Sequence, residues 1–149
     1  MELKTNKKTI AGGMEEIKNF LMDPSTEGAD LPIKHSFAPG IYAREMTIPE
    51  GTLLLGKIHK HRHHNFLMKG SIIVLTESNG EELLQAPLMI VSEPGTQRIG
   101  YAVTDTVWTT VHENKDNSED LVVIEERTVT DNRDKYLEYK NNLIKNITI

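Results

Sequence analysis

The sequence predicts a mainly β single domain, a β-sandwich or small barrel with an N-terminal helix and arm and a C-terminal helix. Three observations carry this. Short β-rich runs fill about 70 residues between Ile41 and His112, turn residues punctuate them, and helical spacing of apolar residues is confined to the two ends. The chain has 149 residues and a mass of 16.8 kDa, room for one domain that buries roughly two-thirds of its unfolded surface.

In order along the chain, the first 12 residues are polar and basic. Met14, Ile17, Phe20 and Leu21 then recur at helical spacing until Asp23-Pro24 stops the pattern. From Pro24 to Pro39, Pro, Gly, Ser and Asp predominate, which predicts an irregular arm anchored by Leu31, Ile33 and Phe37. Strand patterns follow at 41–48, 52–59, 65–69, 71–77, 82–86, 88–91, 98–103 and 106–112. Asn79-Gly80 signals a type I′ hairpin, and Pro49-Glu50-Gly51 and Glu93-Pro94-Gly95 signal turns. Residues 121–124 fit a strand or a helix. From Asp131 onward, Tyr136, Leu137, Tyr139, Leu143 and Ile144 keep a helical rhythm. The expected organisation is helix and arm over 1–40, barrel over 41–112, and an extension with an amphipathic helix over 113–149.

Seventeen Lys and Arg against 22 Asp and Glu give a net charge of −5 and a pI near 5.7, a balance that disfavours general nucleic-acid and anionic-membrane binding. An anionic ligand must therefore meet a local basic site. The chain lacks cysteine, which excludes disulfides, zinc fingers and thiol catalysis. No apolar run approaches the roughly 18 residues of a membrane span, and Met1-Glu2-Leu3-Lys4-Thr5 lacks a secretory signal's apolar core. A cytoplasmic location is expected.

Four of six histidines fall in His59-Lys60-His61-Arg62-His63-His64, directly after an apolar run. On a strand, His59 and His61 share a face about 6–7 Å apart, close enough for two imidazoles to converge on one metal ion. His63, about 13 Å from His59 on a straight strand, joins only if the chain turns. The alternative is a solvated corner where these side chains merely cap two strands. His112, ending the run Thr106-Val107-Trp108-Thr109-Thr110-Val111, is on its own an ordinary strand-end residue. Arg98, Tyr101 and Lys60 form a candidate anion-binding set, the arginine through its bidentate fork; equally, Arg98 pairs with Asp105 or Glu93 to fasten a loop. Asn65 is either a partner that orients an imidazole or a turn residue. Trp108 reads as a core residue, Met14, Met22, Met46, Met68 and Met89 as core or arm fillers, and Glu45 as a solvent-facing strand residue. No Ser-His-Asp order, phosphate-binding glycine loop or paired-carboxylate motif stands out.

Gly51, His59-x-His61 and Gly70 resemble the first motif of the cupins, G-x5-H-x-H-x3-4-E-x6-G, and Glu93-Pro94-Gly95-Thr96-Gln97-Arg98 resembles the P-x-G-x2-H part of the second. The likeness covers about residues 40 to 112. His63 stands where the family has its Glu and Arg98 where it has the second-motif His; an arginine is always protonated and cannot ligate, so the usual three-His-one-Glu set is not intact. The pattern His59-Lys60…His63-x-Asn65-x-Leu67-x-x-Gly70, Ala86-Pro87, Ser92-x-Pro94-Gly95-Thr96-x-Arg98, Tyr101-Ala102 and Asp105-Thr106-Val107-Trp108-x-Thr110-Val111-His112 is similar to small cupin-like proteins of bacteriophages and prophages. That group keeps histidines matching His59, His63 and His112, while the position of His61 varies.

The resemblance implies a jelly-roll barrel that brings the last strand beside the first-motif strands. His59, His63 and His112 then make a three-nitrogen site, with His61 as a further or alternative ligand. The implied cofactor is a divalent transition metal: neutral imidazoles suit zinc, nickel, iron or copper over magnesium or calcium, and manganese stays in the set. The expected function is binding or hydrolysis of a small anionic molecule, a phosphate ester or cyclic nucleotide among the candidates, beside Lys60, Arg98 and Tyr101, with His61 or His64 carrying protons. Rival readings are a non-catalytic sponge for a host nucleotide signal and a phage structural or assembly protein. The implied setting is the host cytoplasm, and cupin pairing through sheets implies a homodimer.

Overall fold

The computed structural model describes residues 30–147. The expected N-terminal helix and the first part of the arm lie outside them. Eleven strands and two helices follow in order: β1 (Ile33–Ala38), β2 (Gly40–Ile48), β3 (Leu53–Leu55), β4 (Ile58–His59), β5 (His63–Lys69), β6 (Ser71–Thr76), β7 (Gly80–Gln85), β8 (Leu88–Ser92), β9 (Ile99–Ala102), β10 (Thr106–Asn114), α1 (Leu121–Thr128), β11 (Val129–Thr130) and α2 (Arg133–Ile147). A five-stranded sheet in the order β1-β2-β10-β5-β8 faces a four-stranded sheet β3-β9-β6-β7, and β4 pairs with β11. All pairs are antiparallel. This is the jelly-roll barrel of the cupin type, mainly β with a C-terminal helix.

Alternation builds the interior. Register aligns Met46 with Trp108 and Trp108 with Leu67, so one inward row crosses three strands of the larger sheet. These residues meet Ile48, Ile72, Val74 and Ala102 in the apolar core, with Leu31, Leu54, Leu84 and Ala86 packed against it. The next row carries Arg44, Thr110 and Asn65, and the row beyond pairs Tyr42 with His112. The inner face thus passes from apolar through polar to imidazole within a few residues of each strand.

Three local expectations change, and one open alternative is resolved. The stretch 33–38 is a strand, not part of an irregular arm, pairing with β2 from Ile33↔Met46 to Ala38↔Ile41 across the Pro39-Gly40 turn. The single strand expected over 52–59 breaks at Gly56-Lys57: β3 joins the smaller sheet while β4 pairs with β11. Gly56 donates its N–H to Arg98 O at the break. The hairpin after β6 is not the two-residue type I′ turn, which needs positive φ at both central residues; only Gly80 has it, at 68°, and three residues separate Thr76 from its partner Gly80. Residues 121–124 are helical because Asp120 caps α1, accepting from Val122 N at 3.0 Å and Val123 N at 3.4 Å.

The Glu93-Pro94-Gly95 turn forms as expected. Gly95 has φ 86°, Thr96 N donates to Glu93 O, and a Cβ on Gly95 would sit 3.0 Å from the Tyr136 ring of α2. Glycine there lets α2 dock against the turn. Among the described residues, no helix is long and apolar enough to cross a membrane.

Candidate metal centre

The chain turns sharply after β4, and the turn decides which histidines meet. Residues 60–62 bend away, and β5 starts at His63. The rings of His59 and His63 stack with centroids 4.1 Å apart. His112 arrives from β10, its ring 5.2 Å from that of His59 and 4.8 Å from that of His63. One ring nitrogen from each of the three lies within 4.8 Å of the others. Tyr42 stacks on His112 at 6.4 Å, and its hydroxyl hydrogen-bonds His35 Nδ1 at 2.6 Å.

Hydrogen bonding aims these nitrogens. His63 Nδ1–H donates to the His61 carbonyl at 2.9 Å, which leaves Nε2 with its lone pair free. That Nε2 and His59 Nδ1 are buried without a hydrogen-bond partner. Orphaned buried polar atoms are costly in a folded protein, and two beside a third imidazole are the arrangement a metal ion satisfies. A ring orientation fixed by a backbone carbonyl is common among metal-ligating histidines. The residues fit a transition metal.

Burial keeps the rings neutral. Desolvation, reinforced by the neighbouring imidazoles and by Arg98 and Arg44, pushes the pKa of His59 down to about 2. Desolvation and the other histidines, with Arg44, take His112 to about 3. Burial also lowers His63, against the opposing His61 carbonyl bond. Neutral imidazole is the ligating form.

Four candidate residues lie elsewhere. His61 is exposed: its Nε2–H donates to the Arg127 carbonyl at 3.0 Å and its ring meets Tyr139 edge-on, so the bend and α1 hold it away from the three-ring cluster. His64 is exposed on the outward face of β5, opposite Val91 and Val111. Lys60 turns to the Glu126 carbonyl and the Tyr139 ring. Tyr101 pairs with Leu53 and Ile73, whereas the adjacent Gly100 faces the interior with Leu54 and Val74. Strand parity thus points Tyr101 away from the cavity.

Arg98 does reach it. A cavity of about 630 Å³ is bordered by His59, His112, Tyr42, Arg98, Arg44 and Trp108, among others. Arg98 packs over the Trp108 ring at 5.8 Å and pairs with neither expected carboxylate: Glu93 holds Arg62 at 2.9 Å and Asp105 accepts from Glu50 N at 2.9 Å. Asn65 is neither a turn residue nor an imidazole partner. Only 2% exposed, it accepts from Trp108 Nε1–H at 3.2 Å and Thr110 Oγ1–H at 3.1 Å and donates to Ser92 Oγ at 2.7 Å. Arg44 and Tyr42 were the residues missed; their signal was shared parity with Met46 and Ile48 on β2.

No family model matches the sequence, nor does any curated protein. Solved structures do. An uncharacterized conserved protein with a double-stranded β-helix domain from Klebsiella pneumoniae aligns at TM-score 0.51 and 8% identity over 78% of this chain and 95% of that one. Ectoine synthase from P. lautus aligns at 0.51 and 13% identity over 76% and 78%. Salicylate 1,2-dioxygenase from Pseudoaminobacter salicylatoxidans, in adducts with gentisate, aligns at 0.51 and 10% identity over 71% of this chain and 30% of that one. At such identities the likeness establishes the fold.

Proposed function

We propose that the chain is a metal-binding member of the cupin superfamily in which His59, His63 and His112 hold a divalent transition metal and the adjoining cavity binds and hydrolyses a small anionic molecule. The observation that carries this is the convergence of three neutral imidazoles, His63 and His112 buried and His59 partly so, two with orphaned nitrogens, at the edge of a cavity that His59, His112 and Arg98 border. Three nitrogen donors suit zinc, nickel, iron or copper, with manganese as a further candidate. A transition metal held there supplies Lewis acidity toward an ester or phosphate oxygen.

The chain's own groups do the rest. The His61 carbonyl orients His63, Arg98 attracts the anion, and Tyr42 Oη and His35 Nδ1, hydrogen-bonded to each other, border the same cavity. Hydrolysis is our reading; the solved neighbours include a dioxygenase and a synthase. The motif resemblance supports a phage or prophage origin, hence the host cytoplasm. Exposed Met68, Met89 and Val91 on the outer face of the larger sheet support a homodimer.

The test is to load the protein with each metal, incubate it with a panel of phosphoesters and cyclic nucleotides, and analyse the products. Turnover that disappears in the His59→Ala, His63→Ala double variant is expected. Ligand bound and recovered unaltered would replace hydrolysis by sequestration, and full metal occupancy in the double variant would refute the centre.

A further inference from the structure

Arg44 and Arg98 enter the cavity from opposite sheets. Arg44 sits in the polar inner row with Thr110 and Asn65, one row from Tyr42 and His112; Arg98 precedes β9 and lies over Trp108. Both border the cavity and both are partly buried. Neither makes a salt bridge or side-chain hydrogen bond with a described residue. Of the carboxylates bordering the same space, Glu125 is taken by Lys57, and exposed Asp30 forms no ion pair with either arginine. Glu82, whose charge is felt at Arg98, stands exposed on β7.

A partly buried guanidinium is ordinarily held by a carboxylate, because removing charge from water is costly unless it is paired. The Trp108 face offsets part of that cost for Arg98. Two unpaired guanidinium groups in one cavity, beside three neutral imidazoles, leave a concentrated positive field in a protein of net charge −5. The apolar side chains of Trp108, Met46 and Leu54 border the same space, whose volume is within the usual range for a small-molecule site.

We propose that Arg44 and Arg98 together hold the oxyanion head, carboxylate or phosphate, of a small organic ligand whose apolar body lies against Trp108, Met46 and Leu54. This deepens the proposed function and rests on its reading of the cavity as a ligand site; it does not rest on the metal. Arg44 is the specificity-determining group, because a single arginine attracts an anion whereas two from opposite sheets fix its position.

Trp108, the sole tryptophan, reports on the site. Chelator-treated protein is titrated with benzoate, phenyl phosphate and the neutral benzamide, following emission and checking by calorimetry. Saturable binding of one or both anions is expected, with benzamide weaker by about tenfold or more, and the better anion identifies the head group. Arg44→Gln and Arg98→Gln should each weaken binding by about tenfold or more. Arg44→Lys, which keeps the charge and loses the fork, should fall between, while Lys60→Met leaves affinity unchanged. Urea midpoints establish that the variants are folded; should Arg44→Gln not fold, Arg44→Lys decides. Equal binding of benzamide, no binding of either anion, or parent affinity in the Arg44 variants overturns the proposal. Metal-free protein that still binds benzoate would sustain this site even if the metal centre fails.

Discussion

Asn65→Leu removes the polar connection beneath the histidines while nearly keeping volume. Asn65 joins three strands: its carbonyl oxygen serves Trp108 and Thr110 on β10, and its amide serves Ser92 on β8. Leucine leaves three partners without their bonds, two of them, Thr110 and Ser92, buried at 8% and 1% exposure. An unsatisfied buried group costs about 1–3 kcal/mol. Rotation of the two hydroxyls and leucine's apolar gain offset part of that, for a net loss of about 3 kcal/mol. At about 3 °C per kcal/mol for a domain of this size, the midpoint falls by about 10 °C. Urea denaturation followed by Trp108 emission measures the loss, with exposed His64→Ala on the same strand as control, expected within about 0.5 kcal/mol of the parent. A loss below about 1 kcal/mol in Asn65→Leu would refute the reasoning that this network is fully engaged.

Metal occupancy should separate neighbouring histidines: His63→Ala loses it, and His61→Ala retains it, as elemental analysis of both will show. Stability of the metal-free protein should fall with acid. His59 and His112 have folded pKa values depressed to about 2 and about 3 against about 6.5 unfolded, so only the unfolded chain takes up their protons between those limits. The stabilisation is present above pH about 6.5 and lost as pH falls, about 1.4 kcal/mol per histidine by pH 5.5. Urea titrations at pH 7.5 and 5.5 should show this difference, and a His59→Gln, His112→Gln variant should lose it; an unchanged pH dependence in that variant would contradict neutral burial. Gly95→Ala, strained at φ 86° and 3.0 Å from the Tyr136 ring, should cost about 1–3 kcal/mol and loosen α2, measurable by hydrogen exchange in residues 133–147.

Alternation and turn chemistry made most of the barrel legible, since β10 buries Thr106, Thr110, His112 and Asn114 on one parity and β6 buries Ile72 and Val74 two residues apart. β1 was not legible because five of its six residues are exposed, leaving no apolar period to read. The histidine cluster was visible as composition, but choosing His63 over His61 required the bend at 60–62, where His61 turns to the distant Arg127 carbonyl. Tyr101 and Gly100 exchange faces with a one-residue change of register, and the glycine, which carries no hydrophobic signal, is the inward one. Arg44 looked like an ordinary strand residue. Its importance comes from the opposite sheet, where Arg98 faces the same cavity.

The most direct measurement is the metal content of purified, untagged protein by elemental mass spectrometry, with His59→Ala, His63→Ala and His112→Ala beside it. A centre built from these three rings predicts about one transition-metal ion per chain in the parent, with occupancy lost in each variant. A parent that takes up no zinc, nickel, iron, copper or manganese on incubation, or variants that keep full occupancy, would contradict it.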